Sequence, residues 1–234
     1  MSKLQEVNRN LQLDGDGGSL DVIGLERALA AMDEVSNEIT AEVSASGILS
    51  GIDSNSVASQ LDDWRVTGSA PRKLPSLRPH CAETLEAAIG LGCRLDVLSL
   101  NWCPPLIHAY LPMLASSGGR VFSNTIDRNG MIDNVVNGAA AKREIIRTLV
   151  DEARRKESES SVMYIGDSST DLLALLEADV GILIGESASA RRMACYFGVR
   201  IEPLPEQGFE NPDGVLWEAN SWMDVRRCII ASLG

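Results

Sequence analysis

Two aspartates, Asp167 and Asp171, stand four residues apart directly after a short apolar run, Val162 to Ile165. Glycine, serine and threonine separate them from the run and from each other, as is typical of a strand that turns into a helix. Four positions bring two side chains to one face of a helix, so the pair predicts a Mg²⁺ site at a helix N-terminus. A structural interpretation is also open, because one such carboxylate often caps a helix, although capping does not account for two.

The elements that would position this pair are strands and helices in alternation. The apolar run before Asp167 predicts a buried strand, the leucines from Leu172 to Leu176 predict a helix, and residues 180–184 predict a second strand. From Arg94 onward the same alternation continues, which is typical of a doubly wound parallel sheet. The predicted fold class is therefore α/β, with a Rossmann-type sheet.

Helical patterns precede the predicted sheet. Apolar residues at steps of three and four predict a long helix from Leu20 to Ser46 and a shorter one from Ser54 to Trp64. The following stretch, TGSAPRKLPSLRP, contains three prolines and predicts a hinge. We therefore predict a linker over residues 1–19, a helical subdomain over 20–70 and an α/β core over 71–234.

Three more polar residues fall at predicted element ends. Ser99 and Asn101 lie at the end of a strand predicted over 94–100, and Lys142 lies in the first turn of a helix predicted over 139–155. Alone, each is an ordinary turn residue or a solvated lysine. Because the carboxyl ends of parallel strands meet at one crevice, these side chains can share a ligand with the aspartates. Hydroxyl, ammonium and Mg²⁺ together suit a phosphoryl group, so the predicted partner is a small-molecule phosphate ester.

Composition argues against several classes of protein. Of the 234 residues, 44% are hydrophobic and 23% charged, as in soluble globular proteins. The net charge of −12 argues against nonspecific binding to nucleic acid or to an anionic membrane. The five cysteines lack CxxC spacing, so they predict neither a zinc site nor a disulfide framework. The sequence also shows no signal peptide and no apolar run long enough to span a membrane, so the predicted location is the cytoplasm. None of these patterns predicts an oligomeric state.

The motifs resemble those of the haloacid dehalogenase-like (HAD) phosphatases. The matching segments, in the family's order, are VLSLNW at Val97 to Trp102, Lys142, and IGDSSTD at Ile165 to Asp171. Longer segments, including LSLNWCPPLIHAY and YIGDSSTDLLALLEADVGILIG, are similar to the phosphatase half of plant and fungal thiamin monophosphate phosphatases. This resemblance runs from about Leu20 to the C-terminus.

The resemblance implies a Mg²⁺-dependent phosphatase of thiamine metabolism. In such an enzyme Ser99, Asn101 and Lys142 would bind phosphate, Asp167 and Asp171 would bind the metal, and the helices over 20–70 would form part of a cap over the active site. The fold implied is a HAD-like doubly wound sheet with a partial helical cap.

One motif of the family departs from its pattern here. The family's DxDx(T/S) motif follows an apolar strand and supplies a nucleophilic aspartate and a second aspartate that acts as acid and base. The candidates are Asp14 and Asp16, but the residues before them are polar and Gly18 stands where Thr or Ser is expected. We therefore expect a chain that begins inside the cap, lacks the first strand, and turns over phosphate esters slowly or not at all.

Two other readings of the sequence compete with a phosphatase. The first is a non-catalytic HAD-like module that binds phosphate or a partner protein. The second is a receiver-type phosphoacceptor domain, which also uses a carboxylate cluster and a lysine but is about half this length and has no helical cap. Mg²⁺-dependent turnover of an aryl phosphate would separate the phosphatase from both.

Overall fold

The computed structural model describes residues 19–69, 76–157, 160–205 and 214–233. The linker predicted over 1–19 lies outside these ranges except for Ser19. Within them, no helix combines the length and the apolar character that crossing a membrane requires.

Helices and strands alternate along most of the described chain. The helices are α1 (Val22–Ala45), α2 (Ser54–Thr67), α3 (Cys81–Gly90), α4 (Pro104–Tyr110), α5 (Leu114–Ser117), α6 (Ala139–Lys156), α7 (Leu172–Glu177), α8 (Ala188–Tyr196) and α9 (Trp222–Leu233). The strands are β1 (Val97–Leu98), β2 (Val121–Phe122), β3 (Thr125–Ile126), β4 (Ile132–Asp133), β5 (Met163–Gly166), β6 (Val180–Ile184), β7 (Arg200–Pro203) and β8 (Val215–Ala219). A 3₁₀ turn, Ser169–Asp171, leads into α7.

The chain divides into two compact units. Unit 1 comprises Met1–Ser36 and Asn137–Gly234, and unit 2 comprises Asn37–Val136. Helix α1 contributes residues to both. The division predicted from sequence, with a helical part over 20–70 and a core over 71–234, stays a prediction.

Unit 1 is built on a four-stranded parallel sheet in the order β5-β6-β8-β7. Strand β6 is buried over most of its length, as the apolar run over residues 180–184 predicts. Helix α7 joins β5 to β6 and places Leu172, Leu173 and Leu175 in the core. The first half of α1 adds Leu25 and Leu29, both fully buried, to the same core.

Unit 2 has two smaller sheets. Strands β1 and β2 are parallel neighbours, and β3 and β4 form an antiparallel hairpin that pairs Ile126 with Ile132. Asn129 lies in the turn that joins the two strands, and the N–H of Gly130 donates to the carbonyl of Asp127. The strand predicted over residues 94–100 is much shorter in the structure, where β1 comprises only Val97 and Leu98.

The α/β class and the parallel strand pairing are confirmed. Among the described residues, β1 and β2 are each two residues long and pair with each other within unit 2. The HAD-like, doubly wound arrangement stays a prediction.

Candidate functional site

The predicted metal pair lies where β5 gives way to the 3₁₀ turn. Gly166, the last residue of β5, passes so close to Asp171 that an added Cβ atom would lie 2.5 Å from the Asp171 Cβ. Only glycine lets the turn fold back this closely against the strand. The turn buries Asp171, whose exposed fraction is 4%, and leaves Asp167 exposed.

Both carboxylate oxygens of Asp171 accept hydrogen bonds from protein groups. Its Oδ2 accepts from the backbone N–H groups of Asp167 and Ser168, at 3.2 and 3.0 Å, and from the Ser168 hydroxyl at 2.7 Å. Its Oδ1 accepts from the Tyr164 hydroxyl and from Nζ of Lys142, each at 2.7 Å. These donors replace the water that burial removes from the carboxylate.

Lys142 is the charged partner of Asp171. It lies in the first turn of α6 and is 5% exposed, which is rare for a lysine unless it is paired. Burial by itself raises the pKa of the Asp171 carboxyl, but the charge and hydrogen bond of Lys142, with the bonds from Ser168 and Tyr164, hold that pKa below its usual range. Asp171 is therefore ionised at neutral pH and fixes the ammonium group beside the end of β5.

Tyr164 and Ser168 belong to this network although neither is a residue that the motifs single out. Burial, with the nearby charge of Asp171, raises the pKa of the Tyr164 hydroxyl far above its ordinary value. The hydroxyl therefore keeps its proton and remains a donor. A tyrosine within an otherwise apolar strand was the available sequence signal, because a buried hydroxyl needs a partner.

The two aspartates of the predicted metal pair have different environments. Asp171 is buried, whereas Asp167, directly after β5, is exposed. Mg²⁺ is commonly held by one or two carboxylates and several waters, so Asp167 fits a ligand and Asp171 fits the group that anchors the turn beneath it. The described residues contain no group of three or more His, Cys, Asp or Glu arranged to hold a metal.

Ser99 and Asn101 lie in unit 2, after β1, whereas Lys142 and the aspartates lie in unit 1. The Ser99 hydroxyl accepts from the N–H of Asn101 at 3.1 Å, and the Asn101 side-chain oxygen accepts from the N–H of Cys103 at 2.6 Å. Both side chains thus stabilise their own turn. The other two predicted site residues, Asp14 and Asp16, lie outside the described residues.

An apolar groove of about 430 Å³ adjoins Asn101 within unit 2. Trp102, Leu106 and Ile126 are among its lining residues, together with side chains from α2 and from the segment before it. Asn101 adds polar atoms to a lining that is otherwise mostly apolar, so the groove suits a largely apolar group.

Comparison with known proteins gives one similarity to a curated relative. The chain is 27% identical over 230 residues to the bifunctional TH2 protein, mitochondrial, of Arabidopsis thaliana. The match covers 88% of this chain and 36% of that protein, so the chain spans about a third of the length of the relative. No family model and no solved structure matches the chain. The relative is mitochondrial by name, and the cytoplasmic location expected for this chain stays a prediction.

Proposed function

We propose that this chain is a HAD-like, Mg²⁺-dependent phosphatase that acts on a small phosphate monoester. The observation that carries the proposal is the buried Lys142–Asp171 ion pair beside Asp167, at the carboxyl end of a parallel strand. Such a strand end is where α/β folds bind ligands. The sequence resemblance makes thiamin monophosphate the substrate to test first, and the chain is similar to part of a plant protein that is named a bifunctional TH2 protein.

Lys142 would be the main anion-binding group of the site. One ammonium N–H is directed to Asp171, and a lysine ammonium has two further donors for phosphate oxygens. Because Asp171 holds the lysine in place before substrate arrives, the lysine side chain loses little conformational freedom when phosphate binds. Ser99 and Asn101 are proposed as further phosphate contacts on the strength of the motif alone.

Asp167 would hold the metal. A bound Mg²⁺ would neutralise charge on the phosphoryl group as it develops. Asp171, through its backbone and side-chain bonds within the turn, would keep Asp167 facing outward from the strand end. By resemblance, Asp14 would be the nucleophile and Asp16 the acid and base, and their poor match to the motif is why we propose weak turnover.

The decisive test is hydrolysis of 4-nitrophenyl phosphate and thiamin monophosphate by the purified chain, with and without Mg²⁺. We expect Asp167→Asn and Lys142→Met each to lower kcat/KM about 100-fold or more. The first removes a charged ligand of the proposed metal, and the second removes a positive charge that would stabilise the transition state. Asp151→Asn and Lys156→Met, on the exposed side of α6, are the matched controls and should keep wild-type turnover. Calorimetric titration should show weaker Mg²⁺ binding in Asp167→Asn, and unchanged affinity there would remove Asp167 from the metal site.

A second candidate function is a non-catalytic phosphate-binding module. It is favoured by the position of Lys142, because a lysine ammonium held by Asp171 has donors for an anion and needs no nucleophile to bind one. Orthophosphate binding that is lost in Lys142→Met, in a protein with no turnover of either ester, would select this alternative. Turnover abolished by Asp14→Asn or Asp16→Asn would exclude it.

A further inference from the structure

Helix α6, which carries Lys142, begins without a side-chain cap of its own. Its N-cap position is Gly138, which has no side chain to accept a hydrogen bond. The first free N–H of the helix, that of Ala139, donates instead to Oδ2 of Asp33 at 2.7 Å. Asp33 lies on α1, so the cap comes from a residue 106 positions earlier in the chain.

The carboxylate of Asp33 occupies the space beside Gly138 at the start of α6. A Cβ atom added to Gly138 would overlap the carboxylate of Asp33. The backbone at Gly138 has a φ of 156°. A glycine at this position therefore lets the Asp33 side chain press directly against the first turn of the helix.

Asp33 also acts on Lys142 through charge. Burial raises the pKa of the Asp33 carboxyl, while the N–H groups of Ala139 and Ala140 and the charge of Lys142 oppose that rise. Lys142 bonds to Asp171, and the Asp33 carboxylate bonds to the first turn of the helix that carries Lys142.

We infer that Asp33 is a positioning residue, which fixes the start of α6 and with it the Lys142 ammonium group. The N–H of Lys142 bonds to the carbonyl of Gly138 at 3.1 Å, so the lysine stands one turn from the bond that Asp33 makes. Any shift in the helix start moves the ammonium group relative to Asp171. The catalytic part of this inference rests on the proposed function, in which Lys142 binds phosphate.

A cap that only stabilised the helix would behave differently from a positioning residue. Loss of an ordinary cap lowers the melting temperature and leaves ligand binding alone. Asp53 provides such a cap within unit 2, where it accepts from the N–H of Ser56 at 2.8 Å. Asp53→Ala is therefore the matched control for Asp33→Ala.

The test compares wild type, Asp33→Ala, Asp33→Asn and Asp53→Ala at a temperature where all four are folded by circular dichroism. Orthophosphate affinity is measured by calorimetry in Mg²⁺, and acetylation of lysines by an amine reagent is followed by mass spectrometry. Lys156, exposed at the end of the same helix, is the internal reference for labelling. We expect Asp33→Ala to weaken orthophosphate binding on the order of tenfold and to raise Lys142 labelling several-fold. Asp33→Asn, whose amide oxygen can still accept from the N–H of Ala139, should keep most of the wild-type orthophosphate affinity and most of the protection of Lys142 from labelling.

The two readouts separate this inference from the proposed function. If wild type binds orthophosphate, and Asp33→Ala has the same affinity and the same Lys142 labelling, Asp33 does not position the lysine. If Lys142 labelling rises in Asp33→Ala and not in Asp53→Ala, the positioning role stands even when wild type binds no phosphate. In that case it is the phosphatase proposal that fails.

Discussion

Two turns in this chain have similar sequences and different environments. Each follows a parallel strand and each pairs a serine with a second polar residue, Ser99 with Asn101 after β1 and Ser168 with Asp171 after β5. After β1, the side chains bond to the backbone of their own turn. After β5, they surround a buried carboxylate that Lys142 reaches from another helix.

The difference lies in what each turn buries. Asn101 is exposed, so water can serve its remaining polar atoms. Asp171 is withdrawn from water, so its charge must be matched by a charge from elsewhere in the fold. A long-range ion pair at a strand end therefore distinguishes a candidate site from an ordinary polar turn better than local spacing does.

Removal of the Asp171 carboxylate should have the largest effect on stability. Asp171→Ala leaves Lys142 buried without its partner, and we expect it to lower the free energy of unfolding by about 3–5 kcal/mol. Urea unfolding at pH 7 would measure the loss. The double variant Asp171→Ala/Lys142→Met should recover part of it, since no unpaired charge remains. If Asp171→Ala lowers the free energy of unfolding by less than about 1 kcal/mol, the ion pair adds no more than a surface pair would, and the proposed difference between the two turns is wrong.

Acid should weaken the turn after β5 in particular. Because the pKa of Asp171 is lower in the folded state than in the unfolded chain, its contribution is present above the unfolded pKa and disappears as pH falls through the folded one. We expect the free energy of unfolding to fall more steeply below about pH 4 in wild type than in Asp171→Asn. Urea titrations at a series of pH values would show this, and parallel curves for the two proteins would contradict it.

The Tyr164 hydroxyl should matter less, because it is one of several donors to Asp171. Tyr164→Phe removes one charge-assisted hydrogen bond and keeps the ring, so we expect a loss of about 1.5 kcal/mol or less. Thermal unfolding would measure it. The same substitution at the exposed Tyr196 is the control and should leave the melting temperature unchanged.

The smallest stability change is expected after β1. Asn101→Ala removes a local hydrogen bond at an exposed position, which should cost about 1 kcal/mol at most. If Asn101 binds phosphate as the motif predicts, the same variant should weaken orthophosphate binding while its unfolding curve barely moves. Calorimetry and urea unfolding on one protein sample would test both parts, and unchanged orthophosphate affinity would restrict Asn101 to its structural role.

Strongly periodic elements could be predicted from the sequence, and long-range pairings could not. Helices α1 and α6 lie within a few residues of their predicted bounds, because an apolar stripe at helical spacing defines them. Strand β8, which lies between β6 and β7, was missed. Its sequence VLWEA is a largely apolar run of ordinary strand length, but the sequence of residues 206–213 before it has no periodic pattern that would indicate where a strand begins.

Within the candidate site, too, local features could be predicted from the sequence and long-range contacts could not. The turn from Gly166 to Asp171 could be predicted, because its spacing is local. The roles of Tyr164 and Asp33 could not, because each depends on a partner that only the folded chain brings near. Nothing within α1 distinguishes Asp33 from the other acidic residues of that helix.

The hydrogen bond from Ala139 to Asp33 also constrains the order in which this chain can fold. Unit 2 is one continuous stretch, Asn37–Val136, whereas unit 1 is assembled from pieces on either side of it. On the ribosome, unit 2 can collapse as soon as it emerges, but Asp33 must wait for α6 to be synthesised. The bond from Ala139 to Asp33, which fixes the start of α6, joins residues 106 positions apart, and contacts of such high sequence separation slow folding. The bonds that Asp33 and Asp171 make to α6 therefore form only after α6 has been synthesised.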